Sequence, residues 1–250
     1  MKSKVLKGLK ILGIIVGVLI AGFLAIYAIY NEKLPEGETG EKAEALTDKM
    51  FAAVDKTAWD STKFIQWSFR GANDYLWDKE RNWVNVKWGD KEVFLNLNEI
   101  TGVAYASGEL LEGKQKDKAI QKAWSYFAND SFWLNAPVKA RDKGTERRIV
   151  TMEDGTEALL ITYASGGVTP GDSYLWILDE NGLPKAWKMW VKIIPIGGVY
   201  TSWQDWTTLE TGVKIAQNHL IADKANVPIT KLKTGQNLSN FGKEANFFDK

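Results

Sequence analysis

The sequence predicts a mainly-β (α+β) chain. It reads as a single N-terminal transmembrane helix, then an unclosed antiparallel β-barrel or strongly curved sheet with about two covering helices. Three observations predict this. Ile11 to Tyr30, "ILGIIVGVLIAGFLAIYAIY", is an uncharged run of 20 residues. Behind it, about a dozen short apolar runs are separated by tight turns, with no β–α alternation to suggest a parallel sheet. One hairpin, "GDSYLWILDENGLPKAWKMW" (Gly171–Trp190), is apolar on both faces.

At about 1.5 Å rise per residue, the first run spans roughly 30 Å, the thickness of a bilayer's hydrocarbon core. Lys2, Lys4, Lys7 and Lys10 precede it without an acid, and Tyr27 and Tyr30 suit the far interface. The positive-inside rule puts the N-terminus in the cytoplasm and residues 31–250 outside it, on the periplasmic side of a bacterial membrane. A cleaved signal peptide would have a shorter core and a small-x-small site; Ala25 and Ala28 have the wrong spacing. Gly13, Gly17, Ala21 and Ala25 recur every fourth residue, a ridge through which two copies could pair, although Gly and Ala are common in membrane helices.

Ala43, Leu46, Met50, Ala53 and Val54 recur at helical spacing after the Gly37–Gly40 breaks. A second helix reads from Lys114 to Asn129, with Ile120, Ala123, Trp124 and Phe127 as its stripe and Lys114, Lys118 and Lys122 opposite. The strands read as Lys63–Arg70, Tyr75–Asp78, Trp83–Trp88, Glu92–Asn98, Gly102–Ser107, Glu146–Met152, Glu157–Tyr163, Ser173–Asp179, Lys185–Ile194, Val199–Thr207, Val213–Ile221 and Pro228–Lys233. Turns this short demand antiparallel neighbours. The divisions are 1–30 as stub and anchor, 31–39 as linker, 40–235 as the curved-sheet domain and 236–250 as tail.

In the Gly171–Trp190 hairpin, a two-residue turn at Asn181-Gly182 would pair Glu180 with Leu183. Trp176 then faces Trp187 and Tyr174 faces Met189, while Leu175, Ile177, Ala186 and Trp190 share the other side. An antiparallel sheet with one wet face alternates cleanly. Here the sheet is expected to be covered on both sides, by a helix, more sheet or an apolar ligand.

Composition excludes more than it identifies. The absence of cysteine rules out disulfides and thiolate chemistry, and a single histidine rules out a multi-histidine metal centre. Beyond residue 30 there are 28 basic and 31 acidic residues, a net of −3, which argues against nucleic acid. His219 is expected in a surface or capping role. Ser165 lacks the surroundings of a nucleophile elbow, Gly166-Gly167 and Gly197-Gly198 read as turns, and Asp78/Glu80 or Glu153/Asp154 as chance neighbours rather than a glycosidase pair. No catalytic residue, metal or cofactor is predicted. The unusual resource is 12 tryptophans. They are either core or the wall of a cavity for acyl chains, with Trp67, Trp83, Tyr174, Trp176, Trp187 and Met189 as candidate ligand-binding residues. Contact with a membrane surface would require tryptophans near residue 35 in space.

The element order, with "DGTEALLITY" (Asp154–Tyr163), "GDSYLWILDENGLPKAW" (Gly171–Trp187) and "WQDWTTLETGVKIA" (Trp203–Ala216), resembles the outer-membrane lipoprotein carrier (LolA-like) superfamily over roughly residues 40–235. "DSFWLNAPVKARDKGT" (Asp130–Thr145) is similar to a segment of bacterial proteins with this layout. The resemblance implies an unclosed barrel, apolar inside, with helices as a lid, that binds a lipid or lipidated protein. It transfers no individual ligand residue, and the tether departs from the freely diffusing carriers. A cell-envelope glycan hydrolase or glycan-binding module is the alternative expectation, and a structural interaction module with a filled core is a third.

Overall fold

The structure is a computed structural model and describes residues 2–165 and 170–250; the expected Gly166-Gly167 turn lies outside them. Helix α1 (Lys2–Tyr30) contains one stretch, Gly8–Tyr30, long and apolar enough to cross a membrane, and none of it is buried against the body. Helices α2 (Glu41–Ala53) and α3 (Lys56–Ser61) follow, with the Asp55 carboxylate capping α3 by accepting from Ala58 N at 3.0 Å.

Next come strands β1 (Phe64–Phe69), β2 (Asn73–Asp78), β3 (Trp83–Trp88), β4 (Lys91–Asn96), β5 (Thr101–Ala106) and β6 (Glu109–Leu110), then helix α4 (Gly113–Asn135). The chain continues through β7 (Thr145–Thr151), β8 (Glu157–Tyr163), β9 (Asp172–Leu178), β10 (Pro184–Trp190), β11 (Val199–Thr208), β12 (Lys214–Ile221) and β13 (Ala225–Gly235). These form one 13-stranded sheet in the order β6-β5-β4-β3-β2-β1-β13-β12-β11-β10-β9-β8-β7, every pairing antiparallel. β6 and β7 are its two end strands and do not pair with each other, so the sheet is unclosed, as the sequence predicts. The short β6 is the strand that the apolar pattern does not reveal, because Glu109 and Leu110 are both exposed.

The curvature follows from what α4 touches. β5 and β12 are six strand spacings apart, about 29 Å in a flat sheet at ~4.8 Å each, yet α4 contacts β4, β5 and β12 together. A helix with its side chains is only about 10–12 Å across. The sheet therefore wraps round α4. One part of the core joins the helix stripe, Ile120, Ala123 and Phe127, to Ile65, Trp67, Val86, Leu95 and Ile229. A second part joins α2 and the end of α4 to β7–β12.

α4 runs six residues past the predicted end at Asn129. Asn129-Asp130-Ser131 reads as a stop because short polar side chains favour caps over helix interiors. Here Asp130 is buried and bonded to the sheet, and Phe132, Trp133 and Leu134 extend the apolar face.

In the β9–β10 hairpin the predicted partners are found, with Trp187 opposite Trp176 and Met189 opposite Tyr174, but the turn differs. Gly182 N donates to Asp179 O, and Asp179 N to Leu183 O, so three residues form the loop and Gly182 alone has a positive φ, +91°. A register shift between Pro184 and Ala186 then restores the expected pairing. Both faces are covered. Tyr174, Trp176, Trp187 and Met189 face α2 and α4, while Leu175 joins Val150, Ala158 and Leu160 on the outer side. The linker lies along that outer side, where Glu38 forms a two-way backbone bridge with Ile149. Residues 236–250 pack on the outer face of the other half, with Leu238 and Phe248 buried against Phe64, Leu76 and Phe94.

Gly182 seats the hairpin against α2, and a Cβ built there would lie 2.7 Å from Lys49 O. Gly182→Ala combines this clash with an unfavourable backbone conformation. It is expected to lower stability by about 1–3 kcal/mol in denaturant unfolding of the detergent-solubilised chain followed by tryptophan emission.

Candidate functional site

The alternation of β9 and β10 sends every second side chain inward, and the predicted residues Tyr174, Trp176, Trp187 and Met189 converge there. Trp203 of β11 and His219 of β12 complete the wall. Trp176, Trp187 and Trp203 form a triangle with ring centroids 4.9–5.0 Å apart. Tyr174 lies 4.6 Å from Trp187, and the Trp203 and His219 rings meet edge to face at 4.3 Å. From α4, Phe132 and Trp133 lean on Trp187 at 5.9 and 5.2 Å. Aromatic pairs at such separations contribute about 0.5–1.5 kcal/mol each beyond their buried area.

Trp67 belongs to a second array, stacked on Tyr75 at 4.5 Å and touched by Phe127 of α4 at 6.1 Å. Trp83 is not brought to either array. Its neighbour Val84 points inward, so Trp83 lies on the outer face beside the C-terminal segment, with Arg81 5.9 Å over its ring. The inner candidates are packed rather than lining an open chamber. Trp67 and Trp176 have no exposed surface and Trp187 has 1%. An interior void of about 10 Å³ between Trp59, Leu134, Asn135, Trp206 and Lys214 has room for one water.

The polar groups on this face are the residues sequence reasoning missed. His219 is fully buried, not at the surface as expected. Its parity with Ile215 and Ile221 in β12, and with Val213 just before it, is the signal that places it on the apolar side. Nδ1 lies 3.2 Å from Val227 O, so this nitrogen carries the proton, and Nε2 has no partner. Burial pushes the imidazole down to about 4, so it is neutral at pH 7. The indole N–H groups of Trp67, Trp176, Trp187 and Trp203 are likewise buried without an acceptor.

Asp130 of α4 is buried and accepts from Tyr75 Oη at 2.5 Å and Asn73 Nδ2 at 2.8 Å, tying the helix to β2. Burial raises its pKa, and burial beside Asp130 raises that of the Tyr75 hydroxyl. The other acids have local roles. Asp78 accepts from Arg81 N, Glu80 pairs with Lys63, and Asp154 accepts from Thr156 within its own turn. Among the described residues, no group of three or more His, Asp or Glu could hold a metal.

No protein-family model matches this chain, and no curated protein matches it. Among solved structures, one of a DUF1329 family protein from Desulfovibrio piger aligns with a TM-score of 0.40 at 10% identity, covering 84% of this chain and 98% of that chain.

His219 gives the fold a distinctive pH response. Between pH 6.5 and about 4 the unfolded chain binds a proton that the folded chain refuses. Stability therefore falls as pH drops through that window, by about 3 kcal/mol at its foot. Asp130 acts in the opposite sense, because its raised pKa lets the folded state take up a proton first. Denaturant midpoints measured against pH for the wild type and His219→Gln are expected to diverge below pH 6.5, with the variant's decline shallower; Asp130 is common to both and cancels.

Proposed function

We propose that this chain is an uncleaved, single-pass membrane protein with a cytoplasmic N-terminus. Its extracytoplasmic, LolA-like body binds a lipid, or the acyl chain of a lipidated protein, without catalysis. The observation that carries the reading is the buried aromatic wall with its unmatched polar atoms. Trp176, Trp187 and Trp203 present three N–H donors that find no acceptor, and an unmet buried donor costs about 1–3 kcal/mol. A ligand suited to this wall is long, apolar and equipped with a few carbonyl acceptors, which describes an acyl ester or amide.

In the structure as described, α4 occupies the wall with its own Phe132 and Trp133, and the second array with Phe127. Binding therefore requires α4 to swing away as a lid. Its polar tie to the sheet at this end is the Asp130 cluster with Tyr75 and Asn73. That tie is directional and can be remade, unlike a continuous apolar seam.

The test uses the full chain in bilayers containing a lipid with a photoreactive acyl chain. After illumination, labelled peptides are mapped by mass spectrometry. Labelling of Tyr174–Met189 and of Trp203 is expected, and it should rise several-fold in Asp130→Asn, in which the buried tie is weakened. Labels confined to α1 would overturn the lipid-binding reading and direct attention to glycans and protein partners.

A further inference from the structure

The segment after β10, Val191-Lys192-Ile193-Ile194-Pro195-Ile196-Gly197-Gly198, is fastened to the first residues beyond α1. Asn31 continues the last helical turn through its bond to Tyr27 O, and its side-chain Oδ1 accepts from Gly197 N at 2.9 Å. Glu32 N donates to Gly197 O at 3.0 Å, and Trp190 Nε1 donates to Glu32 O at 2.8 Å. Lys188 Nζ meets both Glu32 carboxylate oxygens at 2.7 Å. The approach is close enough to require glycine. A Cβ on Gly197 would lie 2.6 Å from Glu32 O, and one on Gly198 2.6 Å from Glu32 Cβ.

This loop is also apolar and bare. Among the described residues outside α1, the exposed large hydrophobic side chains are Leu34, Leu110, Ile193 and Tyr200, with Ile193 the most exposed at 73%. Leu110 belongs to β6, but the other three surround the exit of α1. Leu34 is in the linker, Ile193 in the fastened loop, and Tyr200 is the cross-strand partner of Lys188. Isolated exposed apolar residues need no explanation, but their concentration beside a membrane span does. Trp190, Tyr200 and Tyr30 add the amphipathic aromatics, and Lys33 and Lys192 the cations, that favour a headgroup layer.

We infer that the 191–198 loop is a second membrane contact, with Ile193 and its neighbours seated in the interfacial layer of the bilayer that α1 crosses. The occupant is the lipid surface, argued from continuity with α1: the loop is bonded to residues 31 and 32, so it cannot stand far from the interface. The consequence is a fixed pose. Two contacts, a helix and a loop bonded to its exit, hold the body in one orientation instead of letting it swing on the linker. This inference rests on reading α1 as an uncleaved anchor.

The chain has no cysteine, so single-cysteine spin labelling is direct. Full-length protein is placed in phosphatidylethanolamine/phosphatidylglycerol nanodiscs with a nitroxide at Ile193→Cys, Leu19→Cys or Glu109→Cys. Leu19 is within the span, and Glu109 lies on β6, nine strands from β10. Collisional relaxation by oxygen and by a water-soluble nickel chelate reports depth. A several-fold higher oxygen-to-nickel ratio at position 193 than at 109 is expected. A position 193 as wet as 109, with position 19 in lipid, overturns the loop contact and leaves the anchor standing. A wet position 19 overturns the anchor and the inference with it. Protection of position 193 from both reagents with spin–spin broadening would mean contact with a second copy, and would also overturn it.

Discussion

The architecture depends on one helix being wrapped. Thirteen antiparallel strands with large apolar side chains on one face need something to bury those side chains against, and a flat sheet of that width would leave much of the face wet. α4 resolves this by touching both arms of the sheet. Phe127 meets the array around Trp67, while Phe132 and Trp133 meet the array around Trp187. The strands curl because the helix is narrower than the sheet. The same contact that closes the core thus also fills the place proposed for a ligand.

Burial of unpaired polar groups on that face carries an energetic cost that apolar side chains of the same shape would avoid. A neutral imidazole with one unpaired nitrogen, several indole donors without acceptors and a carboxyl group held by a phenol and an amide lie within a largely apolar interior. Replacing such groups by well-packed hydrophobes is often neutral or stabilising. His219 and Asp130 respond to acid in opposite directions, so the α4 contact carries groups whose effects on stability oppose each other as pH falls.

Much of the fold was legible because it is written in alternation and turn chemistry. Twelve of the strands and the pairing of Trp176 with Trp187 follow from the pattern alone. What was illegible has identifiable causes. β6 carries no apolar signal. The hairpin turn has three residues, corrected by a bulge that no local rule anticipates. Asp130 looked like a terminus because the Asn73 and Tyr75 groups that satisfy its buried Oδ2 lie more than fifty positions away. The candidate site was partly legible: four of its members share a face because they share parity in one hairpin, whereas Trp83 fails by being one residue out of phase with Val84. His219 needed its own parity to outweigh its chemistry.

The bridge between Glu38 and Ile149 has a mechanical consequence. Through it, and through Glu32 at Gly197, the segment that follows α1 is stitched to the sheet at two separated points, the end strand β7 and the end of β10. Tension applied through α1 would therefore be shared between two attachments instead of unravelling the chain from one end. The two hydrogen bonds at Ile149 occupy the middle of an edge that would otherwise be free along its whole length to recruit a strand from another molecule. Detaching that segment would free the middle of the edge, so the joint that shares the tension and the interruption of the edge are the same few backbone groups.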